Sequence, residues 1–242
     1  MVSQAIRTLF TPLVLMSFSV FSFSAETNQD KTSFLAPYSA TYSTVWKKGI
    51  SLKVEGKQTL SKKSADLWEF KFTADNFIAS LNETSTFHVK DHQIIPRHYH
   101  YQSKVFGKKK TADLTFDWKN NQVLNDIKDK PWYLSIPLNT LDKLSIQLQV
   151  RQDLKQGKNE FDYSIADGGY IKNWRFKREK RETISTALGR VSTIKMTRID
   201  NLESGKRTYF WFAPKFDYLL VKLEHKTDSE SYRLDVDKVS YP

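Results

Sequence analysis

Residues 111–118, TADLTFDW, carry the pattern that decides the fold. In an extended chain Ala112, Leu114, Phe116 and Trp118 point to one side, while Asp113 and Asp117 point to the other. An apolar and a polar face alternating with period two, rich in aromatic residues, is the signature of a half-buried β-strand. The same period recurs in both directions. Upstream it appears in YSATYSTVW (38–46), in ISLKVEGKQTL (50–60), where Ile50, Leu52 and Val54 share a side, and in LWEFKFTA (67–74), where Trp68, Phe70 and Phe72 do. Downstream it runs through EFDYSI, IKNWRFKRE, ETISTALGRVSTIKMTRID, KRTYFWFAP, YLLVKLEH and SYRLDVDKVSY. Turn residues punctuate these runs near Gly49 and Gly107 and at 119–122, 167–169, 188–190 and 203–206.

One stretch breaks the pattern. In NTLDKLSIQLQVRQDLKQG (139–157), Leu141, Leu144 and Leu148 lie on one helical stripe, Asn139 or Thr140 can cap the start, and Gly157 can end it. LSIQLQV also alternates as a strand would, but the stripe predicts one amphipathic helix over about 139–156, between two runs of antiparallel strands. A dozen or so strands in one system exceed the ~10 at which open twisted sheets curl or close. The expectation is therefore a mainly β protein: a strongly curved antiparallel sheet or incomplete barrel, with the helix against its concave side, in a single domain spanning 37–242.

The first 25 residues read as an export signal rather than as fold. Arg7 precedes an apolar run from Leu9 to Phe23, and the small residues Ser22, Ser24 and Ala25 come before Glu26. Residues 26–36 are a polar lead-in. The apolar run is broken by Thr11, Pro12 and three serines, which suits a cleaved signal better than a transmembrane helix, and no later run approaches the ~20 apolar residues of a span. With no cysteine, the chain has neither disulfides nor a lipidation site. These features predict a soluble periplasmic protein that is not a lipoprotein. Its formal charge is +11, or +10 once Arg7 is removed with the signal. Outside the cytoplasm such a charge points to anionic lipid or glycan of the envelope rather than to nucleic acid.

Few residues suggest chemistry. His98 and His100 share a strand face, opposite Arg97, Tyr99 and Tyr101, and form at most half of a zinc site, which needs a third ligand. No thiol nucleophile, G-x-S-x-G elbow, H-E-x-x-H helix or phosphate-cradling glycine loop is present. Asp113 with Asp117, and Glu160 with Asp162, are same-face carboxylate pairs, the thin basis for a third reading as an envelope hydrolase. No cofactor is implied. Basic clusters are more informative: Lys108, Lys109 and Lys110 at a turn, and Arg175, Lys177 and Arg178 along a strand, are candidates for meeting an anionic surface. The run RTYFWFAP is apolar on both faces, Tyr209 and Trp211 on one and Phe210 and Phe212 on the other, which makes these four candidates for the wall of a ligand cavity.

The order of several weak motifs resembles domain of unknown function family 3108, a group of exported bacterial proteins. They are Thr186, Leu188 and Gly189, then Arg198, then Trp211, Ala213 and Pro214, then Val221 and Leu223, preceded by Pro96 and Tyr99 of a P-x-x-Y strand. Lys47, Lys48 and Gly49 depart from the more apolar turn of that pattern. The resemblance implies a periplasmic antiparallel β domain and no catalytic residue. Together the readings predict a non-enzymatic protein that binds an amphipathic or anionic envelope component. The alternative is an interaction or assembly factor for an envelope protein, working through strand edges.

Overall fold

A computed structural model describes residues 35–48, 50–127 and 130–242. The expected export signal, most of the polar lead-in, Gly49 and the side chains of Ile50 and Leu52 lie outside the described residues. The strands of the first half are β1 (Tyr38–Lys48), β2 (Ile50–Lys62), β3 (Leu67–Asp75), β4 (Ala79–Lys90), β5 (Gln93–Val105), β6 (Lys108–Asp117), β7 (Gln122–Asp126) and β8 (Pro131–Ser135). A two-residue strand, β9 (Leu141–Asp142), leads to the helix α1 (Ile146–Lys155). The second half supplies β10 (Glu160–Asp167), β11 (Tyr170–Thr186), β12 (Gly189–Arg198), β13 (Arg207–Ala213), β14 (Leu219–Lys226) and β15 (Ser231–Ser240).

All fifteen strands join one sheet, in the order β8-β7-β6-β5-β4-β3-β2-β1-β15-β14-β13-β12-β11-β10-β9. Every pairing is antiparallel except the short parallel one between β9 and β10, where Leu141 meets Ile165 and Asp142 meets Ala166. The sheet is too long to stay open, and its far ends meet. The Gly169 N–H of the β10–β11 turn donates to Asn125 Oδ1 of β7 at 3.1 Å, and the Trp132 ring of β8 packs on the same turn. A Cβ at Gly169 would stand 2.5 Å from that ring, and its φ of +97° already favours glycine. The expected incomplete barrel is thus what forms, and the two ends of its sheet touch through side chains rather than through a strand ladder.

The helix differs from expectation in where it starts and in how it sits. It begins at Ile146 with Ser145 in the cap position, not at Asn139 or Thr140. Leu141 belongs to β9, and Asn139 adopts a left-handed φ of 62°. The reason is Asp142. Its buried carboxylate accepts N–H bonds from Leu144 (2.9 Å) and Ser145 (2.7 Å) and a hydroxyl bond from Ser85 on β4 (2.6 Å), holding the preceding chain extended against the wall. The other end follows the sequence. The Gly157 N–H reaches Leu154 O and the Lys158 N–H reaches Asp153 O, both at 3.1 Å, in a glycine-terminated Schellman arrangement.

Nor is α1 amphipathic toward water: Gln149, Arg151, Gln152 and Asp153 are as buried as Leu148 and Leu154. Its polar groups bond to the barrel. Gln149 accepts from Ile94 N–H (2.9 Å) and donates to His92 O (3.3 Å), and Arg151 grips Asp217. The helix plugs one end of the barrel among Tyr42, Leu60, Phe70, Phe87, Ile94, Tyr99 and Leu114, where the dense core lies. A second local correction concerns Arg97. The pairing of β4 with β5 shifts between Thr86 and Phe87, so that Pro96 and His98 oppose consecutive residues and Arg97 is the extra residue of a β-bulge. Arg97 is exposed and does not share the inward face of Tyr99.

Candidate functional site

Inward-facing side chains are mainly large and aromatic near the plug and smaller toward the other end of the strands. On β3 they run Trp68, Phe70, Phe72, Ala74; on β5, Tyr99, Tyr101, Ser103, Val105; on β4, in reverse, Phe87, Ser85, Glu83, Leu81, Ala79. Large aromatic residues meet across the barrel at the plugged end and small ones fail to meet at the other. The result is a cavity of about 910 Å³, within the range of small-molecule sites. Its wall includes Val54, Phe72, Leu81, Tyr101, Leu220, Leu223, Tyr232 and Leu234; Leu144, Gln147 and Gln58 form its floor; Phe106, Lys108 and Lys110 stand at its mouth. The floor is polar but partnered, since Gln58 donates to Gln147 (3.2 Å) and accepts from Tyr38 (2.8 Å).

Two of the titratable groups that line this space, Tyr232 and Glu83, have pKa values raised by burial. Tyr232 stacks on His225 at 4.9 Å, and burial pushes its phenol up to about 12. Glu83 is half-buried on the wall and accepts a 2.5 Å hydrogen bond from Tyr99. Burial raises its carboxyl above the usual range, although the Tyr99 bond and the Lys143 charge oppose the rise. A carboxyl with a raised folded-state pKa adds stability below its unfolded value, near 4.5, and loses it as pH rises through the folded value. Glu83→Gln, permanently neutral, is therefore expected to be more stable than the parent at pH 7.5 by on the order of 1 kcal/mol, and equal to it at pH 4. Urea melts at the two pH values check this; the same difference at both would sink it.

The expected site residues separate. Lys108 and Lys110 point inward at the mouth, opposite Val105 and Ser103, whereas Lys109 points outward opposite Lys104. Arg175 and Lys177 are exposed on the outer face of β11, where Arg175 sits 3.8 Å from Asp162, and half-buried Arg178 borders a bulge. Tyr209, Phe210, Trp211 and Phe212 do not line the cavity. Phe210 and Phe212 share the inner face with Leu223 and Leu220, which do, but pack against each other and Phe176. Tyr209 and Trp211 lie on the outer face beneath the ammonium groups of Lys195 (4.4 and 5.2 Å), and Trp211 also lies 4.6 Å from that of Lys222. Trp211 donates to Glu182. The outer apolar face of β13 is thus roofed by lysine stems.

His98 and His100 acquire a neighbour on the outer surface. Asp113, across from His100, lies 2.7 Å from its Nδ1 and 3.6 Å from His98 Nε2. Among the described residues no group of three or more His, Cys, Asp or Glu side chains is arranged to hold a metal ion. Asp117 caps the β6–β7 turn through the N–H groups of Lys119 and Asn120. Glu160 and Asp162 border a second cleft of about 330 Å³ beside Asp153, whose two oxygens are already engaged by Lys158 (2.7 Å) and Tyr163 (2.5 Å). Among the described residues no helix is long and apolar enough to cross a membrane.

The profile of the family described as "Protein of unknown function (DUF3108)" matches residues 37–237, nearly the whole barrel. The chain belongs to the DUF3108 family. No functionally curated protein gives a match. Among solved structures, the DUF3108 barrel is similar to a beta-barrel-like protein of domain of unknown function DUF1849 from Brucella abortus. The two are 10% identical with a TM-score of 0.58, over 86% of this chain and 98% of that one. That likeness is one of fold. The Mycobacterium tuberculosis lipoprotein LppX also aligns, at 12% identity over 84% of this chain and 87% of its own, with a TM-score of only 0.27.

Aromatic density alone does not mark the cavity wall, which lacks all four residues 209–212. Its signal is the reverse, a run of decreasing side-chain size at inward positions, and WEFKFTA already shows it in Trp68, Phe70, Phe72 and Ala74.

Proposed function

We propose that this DUF3108 protein is a non-enzymatic periplasmic binder of an amphipathic envelope molecule, with the apolar part in the barrel cavity and an anionic group at the mouth. The observation that carries this is the cavity itself: about 910 Å³, walled mainly by aliphatic and aromatic side chains, with Lys108 and Lys110 at its mouth. Burying an acyl chain there gains roughly 0.8 kcal/mol per methylene, and a lysine ammonium at the mouth complements a carboxylate or phosphate. Glu83 on the wall favours the orientation with the anionic group outward, away from a second carboxyl. The reading of the N-terminal segment as an export signal supports this, since an exported protein has lipids and glycolipids as neighbours.

Protein purified from its producing cells without detergent, extracted with organic solvent and analysed by mass spectrometry, is expected to release an amphipathic compound in near-stoichiometric amount. Ala74→Trp, which fills the cavity from β3, is expected to weaken binding of a fluorescent acyl probe at least about tenfold while the protein still melts cooperatively. An empty extract together with no saturable probe binding would rule the reading out.

A second reading, an interaction factor working through a strand edge, is favoured by β8. This five-residue edge strand is largely exposed, with Tyr133 at 62%. Pro131 blunts one end of that edge. Cross-linking in the periplasm would capture a protein partner on this reading and none on the first.

A further inference from the structure

The β3–β4 and β5–β6 turns stand side by side at the open end of the barrel, joined by a hydrogen bond from Phe106 N to Ile78 O (3.1 Å). Each ends in a phenylalanine that folding does not explain. Phe77 is 98% exposed and Phe106 is 57% exposed. The first is held out rather than loose. Asn76 accepts the N–H groups of Ile78 and Ala79 (2.9 and 2.7 Å) and donates to Lys53 O (3.3 Å), so the turn that carries Phe77 is pinned from both sides. The second occupies the first central position of a two-residue hairpin with φ of 47°, followed by Gly107 with φ of 78°. Asparagine, aspartate and glycine suit that position, and a bulky residue there is an outlier. A local rule broken at an exposed tip with no packing in return is a mark of function.

The charges around the tips break a second rule. Lys104 and Lys109 are directly opposite each other on β5 and β6, a like-charged cross-strand pair that costs stability. Lys108 and Lys110 add two exposed charges on the other face of the same hairpin, and exposed Lys53 lies against the neighbouring turn. Asp75 and Glu55 are exposed acids of the adjoining strands, and half-buried Glu230 lines the same cavity as Lys108 and Lys110; these three acids are fewer than the five lysines. Phenylalanine tips ringed by lysine fit one surface in particular, a bilayer with an anionic interface. Rings enter the headgroup and acyl boundary, and lysines each gain there from the negative surface potential.

We propose that this rim, with Phe77 and Phe106 inserted and Lys104, Lys108, Lys109 and Lys110 on the headgroups, docks the open end of the barrel on an anionic phospholipid bilayer. Phe106, Lys108 and Lys110 belong to the cavity mouth, so docking turns the mouth toward the membrane and gives an acyl chain a path that need not cross water. The proposal deepens the binding reading without depending on it, since docking needs no occupied cavity.

The test is co-sedimentation of protein purified from its producing cells with vesicles of phosphatidylcholine and phosphatidylglycerol in equal parts, against vesicles of phosphatidylcholine alone. Binding is expected to the mixed vesicles and to fall several-fold between 0.05 and 0.5 M salt, conditions chosen to bracket about 0.1 M, where screening reaches ~10 Å. Phe77→Ser with Phe106→Ser, and separately Lys108→Glu with Lys110→Glu, should each weaken it at least about tenfold with the melting temperature held or raised. Arg175→Glu with Lys177→Glu, on the outer wall, should leave it unchanged, and so should the cavity-filling Ala74→Trp. Equal binding to both vesicle types, no loss in the phenylalanine variant, or an equal loss in the Arg175 and Lys177 variant would each overturn the proposal. Vesicle binding by a protein that takes up no acyl probe would instead overturn the cavity reading alone.

Discussion

Asp142→Ala is expected to destabilise the protein by about 4 kcal/mol, because it strands three buried donors at once and each unsatisfied group costs about 1–3 kcal/mol. The carboxylate takes the Ser85 hydroxyl, the Leu144 N–H and the Ser145 N–H where Asp142 itself is fully buried. In a protein of this size the loss corresponds to a fall of about 10 °C in melting temperature. Asp142→Asn keeps one acceptor oxygen and should recover part of the loss. A urea midpoint for Asp142→Ala within error of the parent would mean that water substitutes for the carboxylate and that the plug is held by its apolar residues alone.

Arg151→Met should cost about 3 kcal/mol. The guanidinium is 3% exposed and lies 5.1 Å over the Tyr38 ring. It donates to Asp217 O through Nε (3.2 Å) and Nη2 (2.9 Å), and to Asp217 Oδ2 at 3.0 Å. Asp217 and Tyr218 both have left-handed φ, at 54° and 57°. The arginine therefore holds the strained approach to β14 as well as an ion pair. Asp217→Asn should cost less even though it also gives up the pair with Lys155, since the carboxylate is a third exposed and the backbone carbonyl bonds to Arg151 survive. Arg151→Lys keeps the charge but loses the fork and should fall nearer to methionine than to the parent. Equilibrium denaturation of the three variants orders them; Asp217→Asn costing as much as Arg151→Met would remove the backbone grip from the account.

Legibility in the sequence followed the range over which each rule acts. Period-two alternation is local and strong, so runs such as 67–74 and 111–118 appear as strands where the residues place them. The glycine stop at 157 is local too, and holds. The helix start is not local. Leu141, Leu144 and Leu148 fit a helical stripe, but the residue that decides is Asp142, and its partner Ser85 lies 57 positions away. Arg97 fails for a similar reason, because a bulge exists only relative to a partner strand. At the candidate site, Lys108 and Lys110 were visible as a basic turn, yet their inward direction depends on register with Val105 and Ser103. The four aromatic residues at 209–212 show the limit of reasoning from size. Large side chains fill space, and a cavity opens where they are missing.

The sheet order bears on how the chain reaches this state. From β8 to β1 and from β15 to β10 each strand neighbours the next in sequence, so each half is a meander of hairpins whose contacts close over short loops. The halves are stitched in the ladder at one place, where Ala40 meets Val239 and Thr44 meets Leu234, almost the full length of the domain apart. The entropy of closing so long a loop grows only as its logarithm, but no hairpin on either side can be formed in its stead. The β1–β15 pairing is therefore expected to form after the hairpins, and two half-sheets that are each locally complete become one lumen only when the first strand meets the last.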